Sequence, residues 1–366
     1  MFVAWRDLRF AKGRFALMGS VVLLITLLVG LLSGLTSGLA RENVSAVTGL
    51  PASHLAFAAP PGGREVSFTD SQVPEKSWLA WRERRGVRSA EPIGIRTANA
   101  VSGERTAAVS VFGVEAAGRL APRGSGLARG GVVLTEKAAG ELGGLAAGGK
   151  VRIGRLELTV AAVSGTAAFS HTPVVWTDLG DWQHVGNPGA SPGTPDTLAT
   201  VVALDASGAD TDIAAGDAAA GTRTLSVDDA LGAIGSYSSE NGSLQLMRGF
   251  LFAISALVTG AFFTVWTIQR SGDIAVLKAL GASTPYLLKD ALGQAVVVLA
   301  AGTGLGTALT AGFGALIGGG DVPFVLDAAT VLVPAAILIA LGALGAALSV
   351  RRITAVDPLT ALGSAR

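Results

Sequence analysis

Four long stretches of this chain contain no charged side chain and no histidine. They are 15–40, 249–269, 291–320 and 328–350, each at least 21 residues long. A helix needs about 20 apolar residues to cross the hydrocarbon core of a bilayer, so each stretch predicts a transmembrane helix. The alternative, a buried helix of a large soluble core, is disfavoured because soluble helices of this length usually keep a polar face. A wholly soluble chain and a disordered chain are both excluded.

The first stretch raises the question of a cleaved signal peptide. It follows a basic segment, 1–14, and ends in small residues at 38–40. Its apolar run is about 25 residues long, whereas the apolar region of a signal peptide has about 7–15. We therefore expect it to remain as an anchor.

Positive charge close to the spans predicts the orientation. Segments 1–14, 270–290 and 351–366 together carry ten Lys and Arg against four Asp and Glu, whereas 41–248 carries 18 basic and 21 acidic residues. The first three segments share one side if all four spans cross. We predict a multi-pass protein of a bacterial plasma membrane, with the N- and C-termini cytoplasmic and residues 41–246 extracytoplasmic.

The chain divides into nine predicted parts. They are a cytoplasmic amphipathic N-terminal helix (1–14), the first span (15–40), the outer domain (41–246), the second span (247–269), a cytoplasmic loop (270–290), the third span (291–317), an outer loop (318–327), the fourth span (328–350) and a cytoplasmic tail (351–366).

The outer domain has the patterning of an α+β fold. Its β-type runs are 107–114, 131–134, 150–153, 156–163 and 200–204, and its helical segments are 77–85, 135–142 and 227–234. Ser226 is placed to cap the last helix, and 169–197, rich in Pro and Gly, is predicted to be loop. The predicted fold class is a membrane protein with four transmembrane α-helices and an α+β extracytoplasmic domain between helices 1 and 2.

No constellation of residues supports an enzyme. The chain has no Cys, its three His are scattered, and 144–150 matches the start of a phosphate-binding loop but is followed by Val151 instead of Ser or Thr. We predict no catalytic residue, no nucleotide site, no intrinsic cofactor, no metal site and no nucleic-acid partner. The spans also lack the ionisable residues that ion-coupled carriers use, so a separate ATPase subunit is the simplest energy source.

Small residues recur on one face of the first span. Gly30, Gly34 and Gly38 are four residues apart, a spacing that lets another helix approach closely. This face predicts a contact with another helix near the outer leaflet, either within the chain or across a dimer. High glycine usage, 50 residues in the chain, is the plain alternative.

The residue pattern of the loop 270–290 predicts a short amphipathic helix. Apolar residues recur at helical spacing, one acid begins it, one base lies in its last turn, and a glycine ends it. Such a helix either lies on the membrane or docks into a partner's groove. The residues concerned are Asp273, Ile274, Leu277, Lys278, Leu280 and Gly281.

The sequence at 270–283, together with the tail 351–362, resembles the MacB/FtsX-like class of ABC-transporter permeases. The order of one span, a large outer domain and three spans is also similar. The resemblance implies a permease homodimer that docks two copies of a cytoplasmic ABC ATPase, with ATP bound by that partner. In such proteins the loop helix is the coupling helix, and the N-terminal segment lies along membrane lipid.

The opening residues, 5–15, are similar to those of the haem-exporting permeases of Gram-positive bacteria within that class. The resemblance implies haem as the transported ligand, taken laterally from the membrane by mechanotransmission. Extrusion of lipid, peptide or lipoprotein, or control of an extracytoplasmic hydrolase, are the alternatives. Haem iron needs a nitrogen, sulfur or oxygen ligand, and basic residues suit the propionates. The candidate site residues are Met247, Glu240, Tyr237, Arg41, Glu42, His54 and Arg248.

Overall fold

A computed structural model describes residues 12–186, 198–206, 211–269, 272, 276, 280–317 and 322–354. Within them, four helices are long and apolar enough to cross a membrane. The helices of the described chain are α1 (Lys12–Thr48), α2 (Glu75–Arg82), α3 (Glu136–Glu141), α4 (Leu179–Gly186), α5 (Ile213–Ala220), α6 (Val227–Ala230), α7 (Gly235–Gln269), α8 (Thr284–Ile317) and α9 (Ala328–Thr354).

The chain forms two compact units. Ala40–Gly242 is the outer unit, and Met1–Leu39 together with Ser243–Arg366 is the membrane unit. The strands all belong to the outer unit: β1 (His54–Ala58), β2 (Val73–Pro74), β3 (Ser89–Ser102), β4 (Arg105–Val114), β5 (Gly131–Leu134), β6 (Lys150–Ile153), β7 (Leu156–Val163), β8 (Ala168–Phe169), β9 (Thr172–Asp178), β10 (Leu198–Ala199), β11 (Val201–Asp205) and β12 (Thr222–Ser226).

One mixed sheet organises the outer unit, in the order β12-β1-β11-β3-β4-β9-β5-β7-β6. The long strand β3 pairs with β11 over residues 89–93, with β4 over residues 93–102 and with β6 at residues 100–101. Because β6 returns to β3, six strands close on themselves and leave no open edge there. Most pairs are antiparallel, and β4–β9 and β5–β7 are parallel.

Apolar side chains fill both faces of this sheet. One cluster, which includes Phe57, Phe112 and Trp176, packs beside the end of α1 and the helices that follow β12. Another, which includes Ile153, Leu158 and Trp182, fills the closed part of the sheet under α3 and α4. The α+β fold class between the first two long helices is thereby confirmed.

Most local predictions for the outer unit agree with the structure, and one is wrong. Ser226 caps α6 by accepting a hydrogen bond from the backbone N–H of Asp229 at 3.1 Å. The segment 169–197, predicted as loop, contains β9 and α4, and its last part, 187–197, lies outside the described residues. The error arose because β9 is buried on both faces, so that it shows no alternation to mark it as a strand.

Small residues on both α1 and α8 let these two helices of the membrane unit pack closely together. A Cβ added to Gly30 of α1 would lie 2.5 Å from Thr310 of α8, and one added to Gly306 of α8 would lie 2.7 Å from Thr26 of α1. Such close approach is the usual role of small residues between transmembrane helices. Of the predicted glycine face, Gly30 therefore faces a helix of the same chain.

The other two glycines of that face meet the segment before α9. Added Cβ atoms would collide with the ring of Phe324 at Gly34 and with the carbonyl of Pro323 at Gly38. The backbone N–H of Val325 also donates to the carbonyl of Gly34 at 3.1 Å. All three glycines of the predicted face therefore lie against segments of the same chain, and a contact across a dimer stays a prediction.

Candidate functional site

A two-residue hairpin turn between β8 and β9 carries a half-buried imidazole. Ser170 and His171 have φ of 50° and 63°, the only positive values at non-glycine residues in the described chain. Their backbone N–H groups donate to the carbonyls of Asn43 and Glu42, at 3.0 and 3.3 Å. Positive φ is strained for such residues and often marks a functional position. The turn is therefore held against the end of α1.

His171 meets a carboxylate from the start of α7. Its Nε2 lies 2.9 and 3.0 Å from the two carboxylate oxygens of Glu240, and 3.1 Å from Nδ2 of Asn43. Asn43 Nδ2 lies 3.5 Å from the Glu240 carboxylate. Three segments far apart in sequence thus converge on one point, which we call the His171–Glu240 cluster (Asn43, Ser170, His171, Ser236 and Glu240).

Two serines fix the orientation of the amide. Ser236 Oγ donates to Asn43 Oδ1 at 2.7 Å, and the hydroxyls of Ser236 and Ser170 are 2.9 Å apart. Asn43 is 1% exposed, whereas the side chains of His171 and Glu240 are 31% and 43% exposed. A rigid, buried support therefore holds two groups that solvent or a ligand can reach.

The position of one proton decides how the cluster is bonded. With Nε2 protonated, His171 donates to Glu240. With Nε2 unprotonated, the ring accepts from Asn43 and the carboxylate loses its imidazole partner. An imidazole nitrogen and a carboxylate oxygen can both be metal ligands when they carry a free lone pair, so the cluster contains two groups of this kind.

Of the seven residues predicted to bind haem, Glu240 is the one whose side chain belongs to this cluster. Glu42 forms an ion pair with Lys137 at 2.7 Å, and Arg41 is exposed. His54 lies on β1, where its Nδ1 is 2.9 Å from the hydroxyl of Ser53. Tyr237 packs against the apolar core of the outer unit.

Met247 and Arg248 belong to the membrane unit. Met247 is 49% exposed, and the Arg248 guanidinium donates to the hydroxyl of Ser33, which is buried on α1. That hydrogen bond joins α7 to α1. It uses one N–H donor of Arg248, the residue that was predicted to bind a haem propionate.

Sequence reasoning missed His171 and Asn43. Their separations from Glu240, 69 and 197 residues, give no local pattern. The one usable signal was that His171 directly precedes Thr172 and Pro173 in an apolar stretch, where an isolated polar ring is unusual.

Comparison with known families covers nearly all of the chain. Residues 18–220 match the MacB-like periplasmic core domain, and residues 246–358 match the FtsX-like permease C-terminal family. The chain belongs to the MacB/FtsX-like permeases. The resemblance seen in the sequence is confirmed.

Curated relatives of this MacB/FtsX-like permease carry names that mention hemin. A putative hemin transport system permease protein HrtB of Staphylococcus epidermidis is 29% identical over 143 residues, 39% of this chain and 41% of the relative. The protein of the same name from Staphylococcus haemolyticus is 36% identical over 130 residues, 36% of this chain and 37% of the relative. The matched region therefore spans about two fifths of the length of these relatives.

Two solved structures are similar to part of this permease. The extracellular domain of YknZ, a noncanonic ABC-type transporter from Gram-positive bacteria, covers 48% of this chain and 98% of its own, with 13% identity and a TM-score of 0.34. The periplasmic region of MacB from Actinobacillus actinomycetemcomitans covers 51% and 94%, with 11% identity and a TM-score of 0.34.

The predicted coupling loop of the permease is described only in part. Asp273, Ile274, Leu277 and Lys278 lie outside the described residues. Leu280 is 79% exposed, and its backbone N–H donates to the carbonyl of Val276 at 3.0 Å, as in a helical turn. Gly281 follows with φ of 94°, a conformation common just past a helix end. The role of these residues in coupling stays a prediction.

Proposed function

We propose that this MacB/FtsX-like permease is the membrane subunit of an ATP-driven exporter that removes haem from the outer leaflet. The observation that carries the proposal is the similarity to permeases named for hemin transport. A group able to ligate iron must then lie close to the membrane. The His171–Glu240 cluster supplies two such groups, beside residues that directly follow the first span and precede the second.

Haem is the cargo, and the cluster is its proposed point of capture. The hydrogen bond between Glu240 and His171 would open, and one of the two side chains would then bind the iron. Asn43 would donate a hydrogen bond to the other one, since its Nδ2 lies close to both. A carboxylate or imidazole freed in this way keeps a hydrogen-bond partner, which lowers the cost of opening. The half-exposed side chains leave the path to the ligand clear.

Energy is proposed to come from a partner subunit. A cytoplasmic ABC ATPase would act on the loop 270–290, and a homodimer of the permease would pair two copies of the outer unit. Helices α1 and α7 both end or begin within the cluster, since α1 contributes Asn43 and α7 contributes Glu240. A shift of either helix along its axis would therefore change the hydrogen bonds of the cluster, which is how mechanical transmission would release the ligand.

Haem titration of the full permease in nanodiscs tests this proposal, with empty nanodiscs subtracted. The wild-type chain should give a saturable Soret shift. Glu240→Gln and His171→Gln should each weaken haem binding about tenfold or more, which corresponds to about 1.4 kcal/mol. Glu104→Gln and His184→Gln, which change an exposed carboxylate and an imidazole on α4 elsewhere in the outer unit, are the matched controls and should bind as the wild type does.

Two results would overturn the assignment. A wild-type chain without a saturable Soret shift would remove haem as the cargo. Equal affinity of the wild type, Glu240→Gln and His171→Gln would remove the cluster as its site, and Met247→Ala, assayed beside them, would show whether the sulfur takes that role. Stimulation of ATPase activity by haem in the reconstituted complex tests the energy source separately.

A further inference from the structure

The outer unit contains a half-open cavity of about 430 Å³ that the proposed haem site does not use. This volume lies within the range of small-molecule sites, which are mostly apolar with a few polar groups. Aromatic rings form one part of its wall and the side chains of β3 another. The lining includes Phe68, Phe169, Trp182, Arg96, Thr97 and Gln183.

The indole of Trp182 is fixed in this wall by two glycines. A Cβ on Gly94 of β3 would collide with its ring, and one on Gly113 of β4 would collide with its Cβ and ring. Trp182 is 5% exposed. The indole therefore lies in a slot that only strands without side chains at these two positions can offer, and its position does not depend on a ligand.

Arg96 stacks on this ring. Its guanidinium carbon lies 4.6 Å from the centroid of Trp182, a cation–π contact that orients the planar cation. Burial lowers the pKa of Arg96 below its ordinary value, although an arginine stays charged at neutral pH. The cation is thus partly removed from water at the cavity wall.

Two donors of this pair have no acceptor among the described residues. Arg96 Nη1 and Trp182 Nε1 are buried, and neither makes a hydrogen bond within the described chain. A buried polar group without a partner costs about 1–3 kcal/mol, and more when it is charged. Nearly all such groups in folded proteins are satisfied, so two of them at one cavity wall indicate an acceptor that the described residues do not provide.

We propose that this cavity binds a small, flat, apolar molecule through its carboxylate. The carboxylate would pair with the Arg96 guanidinium and accept from the indole N–H, while the apolar body lies against Phe68 and Phe169. Arginine suits this role because its fork of N–H donors matches the two oxygens of a carboxylate. The exposed rim residue Thr97 leaves the entrance open. The proposal is independent of haem export.

Calorimetric titration of the full chain in nanodiscs with 2-naphthoate tests it, with empty nanodiscs subtracted. The wild type should bind with a dissociation constant below about 1 mM, the weak end of specific affinity. Arg96→Gln should weaken binding about tenfold or more because it removes a charge-assisted pair. Arg152→Gln changes an exposed arginine on neighbouring β6 and should leave the affinity unchanged. The uncharged 2-naphthalenemethanol should bind the wild type and Arg96→Gln with the same affinity.

A second variant guards against misfolding of Arg96→Gln. Thr97→Trp places a large ring at the exposed rim and should abolish binding without disturbing the buried core. No binding by the wild type, equal binding by Arg96→Gln, or unchanged binding by Thr97→Trp would each overturn the proposal. Glu240→Gln should bind naphthoate normally, so failure of the haem assignment and failure of this one are distinguishable.

Discussion

Replacement of Gly94 by alanine tests how the outer unit holds Trp182. The backbone of Gly94 has no positive φ, so alanine is allowed there and the only conflict is steric. The added methyl would overlap the indole, which is 95% buried and shielded by β3 and β4. Since strands cannot move apart without breaking their ladder, we expect the ring to leave its slot.

The expected loss follows from the size of that ring. Removal of a buried Trp or Phe side chain costs about 3–5 kcal/mol, and partial displacement should cost about 3 kcal/mol. For a domain of about 200 residues, 1 kcal/mol lowers Tm by about 2–4 °C, so the transition of the outer unit should fall by about 6–12 °C. Gly140→Ala is the matched control, because Gly140 lies on α3 with open space around it. It should stabilise by up to about 1 kcal/mol, since alanine favours helix.

Tryptophan fluorescence during thermal unfolding of the full chain measures this change. Four of the six tryptophans, at 78, 81, 176 and 182, lie in the outer unit, so the signal reports mainly on it. A Gly94→Ala transition within about 2 °C of the wild type would refute the steric reasoning. So would an equal loss in Gly140→Ala, which would point to a general effect of added methyl groups.

Two further predictions use the same unfolding assay, and a third uses circular dichroism during thermal unfolding of the detergent-solubilised chain. Burial raises the pKa of Asp181, so the folded unit favours the neutral acid and loses stability as pH rises through that pKa. Asp181→Asn should match or exceed the wild-type Tm at pH 7, and the difference should shrink as pH falls and the carboxyl becomes protonated in both the folded and the unfolded chain. Trp81→Phe should cost about 2–3 kcal/mol, because it removes the 3.0 Å hydrogen bond from the indole to Thr222 and leaves a cavity at a fully buried side chain; no change in Tm would contradict this. Gly306→Leu should lower the stability of the detergent-solubilised chain by about 1–3 kcal/mol through overpacking against α1, whereas Gly312→Leu, with open space, should not.

The parts of the fold that follow local rules could be predicted from sequence. The first five residues of β7, Leu156 to Val160, alternate apolar and polar residues, and their burial in the structure alternates in the same way. Charge-free length predicted the four long helices because crossing a bilayer requires about 20 apolar residues. Burial on both faces removed the same signal from β9, where Pro173 to Thr177 are all buried.

The candidate site could be predicted only in part, since its residues meet through tertiary structure. Glu240 was selected because it precedes a span, and that position is a property of the sequence. His54 was selected by the same reasoning for the first span, yet it lies in β1, paired with β11 and β12. His171 reaches Glu240 because the β8–β9 turn is held against α1, and pairing of that turn depends on the whole sheet.

The strain of this turn offers a way to separate a structural role from a functional one. Two-residue hairpins with positive φ at both positions favour Asn-Gly, and each left-handed non-glycine residue costs about 1–2 kcal/mol. The double change Ser170→Asn with His171→Gly should therefore relieve strain. It also loses the Ser170–Ser236 hydrogen bond and the hydrogen bond between His171 and the half-exposed Glu240 carboxylate, each worth about 1 kcal/mol. We expect an outer unit that unfolds at the same or a higher temperature but binds haem more weakly. A lower Tm would mean that the pair of His171 with Glu240 is kept for stability, and the argument from strain to function would fail.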